Sequence, residues 1–247
     1  MPEPRKSRKS PTVPLVIAAL AAVALIFTLL GTSPDESEAD SDSDSAGDEA
    51  AASVSPQGAD PAEDPLAGLA RRDADDPMAM GEVDAPVVLI AYSEFQCPFC
   101  GKFARDTAPT LMEKYVEDGT LRIEWRDFPY LGEESTTAAL AGRAAAAQGS
   151  FWEFHDAMYA DQLPPNSGNL DEGYVAAIAD DLGLDVEQFL ADLRSDGAQA
   201  LVDTDFREGQ SIGVTGTPSF LINGTPIVGA QPTDVFEQVI EQAAATS

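Results

Sequence analysis

The sequence is most constrained where a continuous apolar segment leads straight into the only two cysteines of the chain, Cys97 and Cys100. The segment PVVLIAYSEF, residues 86–95, is rich in β-branched residues, as expected of a strand that is buried on both faces of a sheet. After Cys100 the apolar positions recur with helical spacing up to Gly119, and Pro109 is expected to kink this helix. The sequence therefore predicts a buried strand that is followed directly by the cysteine pair at the start of a helix.

The segments after this helix predict the rest of the fold. Residues 120–130, TLRIEWRDFPY, alternate between apolar and polar side chains and indicate a second strand, which completes a βαβ unit with a right-handed crossover. An alanine-rich and then aromatic tract predicts an inserted block of helices over about 134–206. A β-hairpin follows around the turn pair Asn223-Gly224, and residues 232–245 have the spacing of an amphipathic helix. The predicted fold class is α/β: a thioredoxin-like fold (βαβ…ββα) with an inserted helical domain.

The N-terminal residues 1–31 predict a membrane segment. A basic cluster, RKSRK, precedes a run from Val13 to Leu30 in which Pro14 and Thr28 are the only interruptions of apolar character. As a helix this run is roughly 27 Å long, close to the thickness of the hydrocarbon core of a bilayer. Because the basic residues stay in the cytoplasm, the rest of the chain is expected outside it. We expect a single-pass signal-anchor in the cell membrane, with a cleaved signal peptide and secretion as the alternative.

Residues 32–80 have a different composition from the segments on either side. They hold 14 acidic residues against two arginines, with many serines, prolines and alanines. Such a stretch buries too little apolar surface to offset its conformational entropy, so we expect an acidic disordered linker. A helix-like patch around residues 66–72 is a candidate for docking on the domain. Residues 81–247 are expected to form the folded domain.

The formal charge of the chain, −29, excludes one class of partner. Nucleic-acid binding needs a basic surface that displaces counterions from phosphates. Residues 81–247 alone carry 28 acidic residues against eight basic ones. We therefore expect no nucleic-acid partner.

Three kinds of site place two cysteines within one helical turn: a metal site, a structural staple and a reactive dithiol–disulfide pair. A zinc site needs about four ligands, and His155 is the only histidine of the chain, so no metal and no other cofactor is predicted. A staple that closes so short a loop contributes little chain entropy. The reactive pair is therefore the favoured interpretation.

The position of the pair at a strand-to-helix junction supports its reactivity. The free N–H groups and the dipole at a helix N-terminus stabilise a thiolate at Cys97 and lower its pKa. Pro98 suits the first turn because it lacks an N–H group that would have no partner there. Cys100, one turn later, is within reach of Cys97 for a disulfide and is expected to be the more buried sulfur.

A second motif, GVTGTPSF, covers residues 213–220. It puts Pro218 directly after Thr217 at the start of a predicted strand, where a proline is normally unfavourable. A cis Thr217–Pro218 bond packed beside the cysteine pair is the expected explanation.

Three segments together carry a family resemblance: APVVLIAYSEFQCPFCGKF, FWEFHDAMY and GVTGTPSFLING. They resemble the DsbA-like family of thioredoxin-fold thiol–disulfide oxidoreductases, especially its membrane-tethered bacterial members, in family order over roughly residues 78–243. The resemblance implies that Cys97 is the nucleophile, Cys100 the resolving thiol and Pro218 the cis-proline. It also implies that the backbone at Thr217 pairs with an extended substrate segment.

The resemblance bears on four further residues. Pro98 and Phe99, between the cysteines, are expected to contact substrate. Phe99 stands where the best-known oxidases have the histidine of a Pro-His dipeptide, so their extreme oxidising power is not implied here. Glu94 lies where related sequences often carry an acid, and it either relays protons to Cys100 or faces solvent. His155 is expected to pack within the helical insert.

We therefore expect an extracytoplasmic enzyme that oxidises cysteine pairs of exported proteins and is recycled by a membrane redox partner. One alternative is a disulfide reductase or isomerase of the same fold, in which the electrons flow the other way. Another is a non-catalytic tethered binding or chaperone module, in which the disulfide only stabilises the site.

Overall fold

The computed structural model describes residues 65–247, so the predicted membrane segment and most of the predicted linker lie outside the described residues. Among residues 65–247, the structure contains no helix with the length and apolar character that a bilayer span requires. A mixed five-stranded sheet forms the centre of this part of the chain. Its strands are β1 (Ala79–Met80), β2 (Val87–Ser93), β3 (Leu121–Asp127), β4 (Ser219–Ile222) and β5 (Thr225–Val228).

Helices surround this sheet in the described part of the chain. They are α1 (Pro98–Asp106), α2 (Ala108–Leu111), α3 (Glu133–Ala147), α4 (Phe151–Ala160), α5 (Glu172–Asp181), α6 (Val186–Leu193), α7 (Asp196–Ser211) and α8 (Thr233–Ala244). The strands lie in the order β1-β3-β2-β4-β5, and only the pair β2–β3 is parallel. The elements follow one another as βαβ, then helices, then ββα, which confirms the predicted α/β thioredoxin-like fold.

The central strand β2 is buried along its whole length. It lies between β3 and β4 with both faces covered, which is why its sequence is a nearly continuous apolar run. Its carboxyl end is followed by Glu94 and the cysteine motif. The cysteine pair therefore lies at the end of the sheet where the central strand β2 has its carboxyl terminus.

The helix that carries the cysteines is interrupted near Pro109, as predicted. α1 ends at Asp106, and α2 begins at Ala108 with Pro109 in its first turn. A π-helical turn, Met112–Val116, continues the chain. Proline lacks the N–H group that a continuous helix needs at this position, and a new first turn is where this loss is tolerated.

The inserted helix α4 packs beside the end of β2 through an aromatic cluster. Phe95 stacks on Trp125 of β3 at 5.2 Å between ring centroids and meets Phe154 of α4 edge-on at 5.9 Å. Phe151 of the same helix lies 5.5 Å from Trp125. The cluster joins the sheet, the helical insert and the residue two positions before Cys97 in one core.

The packed domain begins before the boundary that composition predicts. The backbone N–H groups of Arg71 and Arg72 donate to the two carboxylate oxygens of the buried Glu124 at 3.0 and 2.8 Å. The guanidinium of Arg71 binds Asp205 at 2.6 Å. β1 then adds to the sheet beside β3. A few specific polar contacts hold residues 71–72 on the domain, and such contacts cannot be predicted from the composition of the segment.

The C-terminal hairpin closes the other edge of the sheet. Asn223 and Gly224 both have positive φ, at 44° and 88°, as a type I′ turn requires. α8 returns over the sheet, where Phe236 contacts Phe103 and Phe220 at centroid distances of 5.2 and 5.0 Å. The hairpin sets the position of the residues that precede β4, which contribute to the site.

Candidate active site

Cys97 is the residue immediately before α1, and its backbone is extended, with φ −70° and ψ 118°. Its carbonyl oxygen accepts bonds from the N–H groups of Cys100 and Gly101 at 3.0 and 3.1 Å, which begin the helix. Pro98 occupies the first helical turn, where its missing N–H costs no hydrogen bond. The sulfur of Cys97 therefore lies at the positive end of the helix dipole.

The two thiols are reduced in the structure and differ in their pKa. A hydrogen bond from the Cys100 thiol, with further bonds from backbone N–H groups at the start of α1, lowers the pKa of Cys97 to about 6, although burial opposes this. Burial and the neighbouring Cys97 raise the pKa of Cys100 well above its usual range. At neutral pH Cys97 is the thiolate and Cys100 holds its proton.

Both cysteines are almost inaccessible to solvent, and Cys100 is the more deeply buried of the two, as expected. Cys97 is 2% exposed and Cys100 is 1% exposed. Cys97 is covered because its Sγ lies 3.2 Å from the carbonyl oxygen of Thr217, a residue that only the fold brings to this position. The two sulfurs are therefore distinguished by their depth and their protonation, although neither is open to solvent.

Thr217 and Pro218 form the wall of the site opposite α1. The Thr217–Pro218 peptide bond is cis, as expected from the sequence, and Pro218 directly precedes β4. The Pro218 carbonyl accepts from the N–H of Gly229 at 2.8 Å, which ties this wall to the end of β5. The two predicted motifs, whose contacting residues Cys97 and Thr217 are 120 positions apart in the sequence, thus meet at the Cys97 sulfur.

An apolar groove continues from this wall. A cavity of about 480 Å³ lies beside Pro218 and includes Phe99, Tyr130 and Val228 in its lining. Phe99 is 62% exposed, Tyr130 is 42% exposed and Val228 is 71% exposed, so large apolar surfaces face solvent next to the nucleophile. Tyr130 and Val228 were not singled out from the sequence, since nothing in their local pattern distinguishes them from other surface residues.

Glu94 is buried, with 2% of its surface exposed, so its side chain does not face solvent. Its Oε2 accepts a hydrogen bond from the hydroxyl of Ser135 on α3. Among residues 65–247, the other carboxyl oxygen of Glu94 has no hydrogen-bond partner. Burial raises the pKa of Glu94 to about 8, against the effect of the Ser135 bond, and the charge of Cys97 acts in the same direction as burial.

Two further side chains near Glu94 escaped the sequence-based prediction. Gln96 donates to the Ser135 hydroxyl at 2.8 Å and accepts from the backbone N–H of Asn166 at 2.7 Å. The hydroxyl of Tyr159 donates to the Glu94 carbonyl at 2.9 Å. Gln96 lies inside the cysteine motif and could have been noticed, whereas the partners on the helical insert carry no local signal.

His155 packs within the helical insert as expected and lies apart from the thiol chemistry. Its ring meets Tyr159 edge-on at 4.8 Å and Trp125 at 5.4 Å. Its Nδ1 lies 2.8 Å from a carboxylate oxygen of Asp156. The structure therefore assigns His155 to the aromatic cluster that supports the site.

Comparisons with known proteins identify the same chemistry. A family model described as Thioredoxin matches residues 73–242. The chain is 33% identical over 150 residues to the probable disulfide bond formation protein D of Bacillus cereus, a match that covers 59% of this chain and 69% of that protein.

Two solved structures show the shared fold. Oxidised BdbD from Bacillus subtilis aligns with a TM-score of 0.64 at 22% identity and covers 69% of this chain and 94% of its own. Wolbachia pipientis α-DsbA1 aligns with a TM-score of 0.62 at 23% identity and covers 68% and 90% respectively. With the cysteine pair, the cis-proline and the family match in place, the chain belongs to the thioredoxin family and is a DsbA-like thiol–disulfide oxidoreductase.

Proposed function

We propose that the enzyme works outside the cytoplasm as an oxidase of cysteine pairs in exported proteins. The observation that carries the direction is the similarity to a probable disulfide bond formation protein D, and the lowered pKa of Cys97, about 6, supports it. A stabilised thiolate favours the reduced form of the enzyme and therefore makes its disulfide a stronger oxidant. Thiols of this class have pKa values from about 3.5 in DsbA to about 7 in thioredoxin, so Cys97 lies between the two and nearer to thioredoxin.

In this mechanism the enzyme begins with a Cys97–Cys100 disulfide. A substrate thiolate attacks the Cys97 sulfur, a new S–S bond forms, and the Cys97–Cys100 bond breaks with its electron pair on Cys100. Cys100 then takes up a proton, as its raised pKa favours. A second substrate thiolate attacks the substrate sulfur of the mixed disulfide, which completes the substrate disulfide and releases Cys97 as a thiolate. The substrate loses two electrons and the enzyme gains them.

Thr217 and the groove residues supply the substrate contacts in this proposal. An extended substrate segment pairs with the backbone at Thr217, beside the Cys97 sulfur. Its apolar side chains lie against Phe99 and Tyr130, whose exposed surfaces adjoin the cavity beside Pro218. Pro98 and Phe99, between the cysteines, form the edge of the helix that faces the incoming chain.

The proposed location rests on the N-terminal sequence. A basic cluster followed by an apolar run from Val13 to Leu30 supports a single-pass anchor, with the catalytic domain outside the cytoplasm. A membrane redox partner then reoxidises the cysteine pair after each turnover. Fractionation of cells and the mass of the mature chain distinguish the anchored form from a cleaved, secreted one.

The reduction potential of the full chain tests the direction of electron flow. Oxidases of this class have potentials near about −120 mV and thioredoxin near about −270 mV. A value above roughly −180 mV, measured by equilibration with glutathione, supports the oxidase. A value near that of thioredoxin instead supports the reductase alternative. That alternative is favoured by one observation, namely that position 99 holds phenylalanine and not histidine.

A further inference from the structure

The amide of Gln162 joins the helical insert to the turn that carries Cys97. Gln162 follows α4, and its Nε2 donates to the carbonyl oxygen of Phe95 at 2.8 Å and to that of Cys97 at 2.9 Å. These two carbonyls bracket the turn between β2 and α1. One side chain from the insert therefore holds both ends of the segment that presents the nucleophile.

The first turn of α1 has space for this amide because residue 101 is glycine. A Cβ atom at Gly101 would collide with Oε1 of Gln162 and would lie 2.7 Å from Nη1 of Arg105. Glycine inside a helix is unfavourable by about 0.5–1 kcal/mol relative to alanine. The glycine is thus placed where the close approach of Gln162 to the helix requires it.

The carbonyl of Cys97 is fixed by hydrogen bonds, which restrict the backbone that carries the sulfur. The Cys97 backbone is extended while its carbonyl already accepts the first bonds of α1, and Gln162 adds a third donor to the same oxygen. The Gln162 amide also offsets part of the negative charge of the Cys97 carbonyl oxygen, which belongs to the same residue as the thiolate. Loss of the amide would remove one of the three donors to the Cys97 carbonyl and the donor to the Phe95 carbonyl, and would release the turn.

We propose that Gln162 is a positioning residue of the redox site, whose amide fixes the turn at Phe95 and Cys97 and thereby sets the reactivity of the Cys97 thiol. The proposal rests on the thiol–disulfide chemistry of the pair and not on the direction of electron flow. It assigns to the helical insert a direct part in tuning the nucleophile.

The experiment compares Gln162→Met with the wild type in the full chain. Methionine keeps the length of the side chain and removes the donor. The rate of Cys97 alkylation by iodoacetamide, followed against pH, is expected to move its midpoint upward by about one unit. The equilibrium constant for oxidation of glutathione by the enzyme is expected to fall about 5-fold at neutral pH, because the reduced form loses thiolate stabilisation.

Gln148→Met is the matched control. The Gln148 amide also bridges two backbone groups in the insert, since it donates to the Asp185 carbonyl at 3.0 Å and accepts from the Asp185 N–H at 2.9 Å. Its loss removes a comparable pair of bonds without contact to the cysteine turn. The alkylation midpoint is expected to stay at the wild-type value.

Gly101→Ala is a second test that does not depend on a loss of stability. The new methyl group displaces the flexible amide of Gln162, while alanine favours the helix. The midpoint is expected to rise as in Gln162→Met. An unchanged midpoint in both variants, or an equal rise in Gln148→Met, overturns the proposal. Alkylation needs no exchange activity, so an enzyme that failed to exchange with glutathione would contradict the proposed function and leave this test valid.

Discussion

The thiol of Cys97 lies 3.2 Å from the carbonyl oxygen of Thr217, across a separation of 120 residues in the sequence. This contact places the nucleophile against the residue before the cis-proline, where an extended substrate backbone would pair. It unites the two motifs into one site and explains why Cys97 is covered in the reduced structure.

The two cysteines are expected to give different phenotypes when replaced one at a time. Cys97→Ser removes the thiolate and should abolish disulfide exchange with a reduced model protein. Cys100→Ser keeps the nucleophile and removes the resolving thiol, so its Cys97 thiolate attacks the disulfide of an oxidised model protein, expels one substrate thiolate and should remain in a mixed disulfide that accumulates. Non-reducing gels and mass spectrometry measure both results. Support of substrate folding by Cys97→Ser would favour the binding or chaperone alternative.

The pH dependence of Cys97 reactivity follows from its lowered pKa. The thiolate fraction should be half at pH about 6 and nearly complete at neutral pH, so the alkylation rate rises through pH 6 and then levels off. The Cys100 thiol donates the largest stabilising bond, so Cys100→Ala should move the midpoint up toward the usual value of about 8.5. Cys100→Ser, which retains a donor, is the control and should move it less.

Glu94→Gln is expected to change the dependence of stability on pH. The pKa of Glu94 is raised to about 8 in the fold, so its contribution is present below the unfolded value near 4.5 and is lost as pH rises toward 8. Between pH 5 and 8 the wild type should lose on the order of 3–4 kcal/mol of unfolding free energy that Glu94→Gln retains. Denaturant titrations at the two pH values measure the difference.

Ser135→Ala keeps the carboxyl group of Glu94 and removes its hydrogen-bond donor. Removal of the Ser135 hydrogen bond raises the pKa of Glu94 further, because that bond favours the ionised form.

If Glu94 relays protons to Cys100, Glu94→Gln should slow turnover by about 100-fold, the lower end for a proton-transfer group. Turnover at the wild-type rate would restrict Glu94 to a structural role.

Phe99→His tests the dipeptide between the cysteines. Phe99 is largely exposed, so a histidine fits without disturbing the core. An imidazolium next to Cys97 should stabilise the thiolate, lower its pKa by about one unit and raise the reduction potential by about 30 mV. Phe99→Leu serves as the control for the lost ring. A fall in potential for the histidine variant would contradict the thiolate argument.

Glu124→Gln is expected to release the segment before β1. Glu124 is fully buried and accepts bonds from the backbone of Arg71 and Arg72 and from the guanidinium of Arg126. Loss of its charge leaves buried cations without compensation, at a cost of about 3–5 kcal/mol. Trypsin should then cut after Arg72 much faster than in the wild type. The exposed Glu133, changed to glutamine, is the control, and protection of Arg72 in Glu124→Gln would contradict the anchoring role.

Local patterns were enough to predict the βαβ and ββα units and the cysteine pair at a helix start. Strand β2 could be predicted because burial on both faces makes a strand continuously apolar. The turn at Asn223-Gly224 could be predicted because few residue types accept two successive positive φ values. The break near Pro109 follows from the missing N–H of proline alone. Such features depend on neighbours in the sequence.

Tertiary structure decided the environment of the reactive groups. Glu94 is buried because α3 brings Ser135 to it, and Gln162 reaches the Cys97 turn from 65 residues away. The segment at Arg71 is held by Glu124 although its composition is that of a linker. Side-chain hydrogen bonds between distant residues have no periodic signature in a sequence, so the contacts that tune the Cys97 thiol could not be predicted. The sequence was enough to predict the nucleophile, and the tertiary structure determined its reactivity.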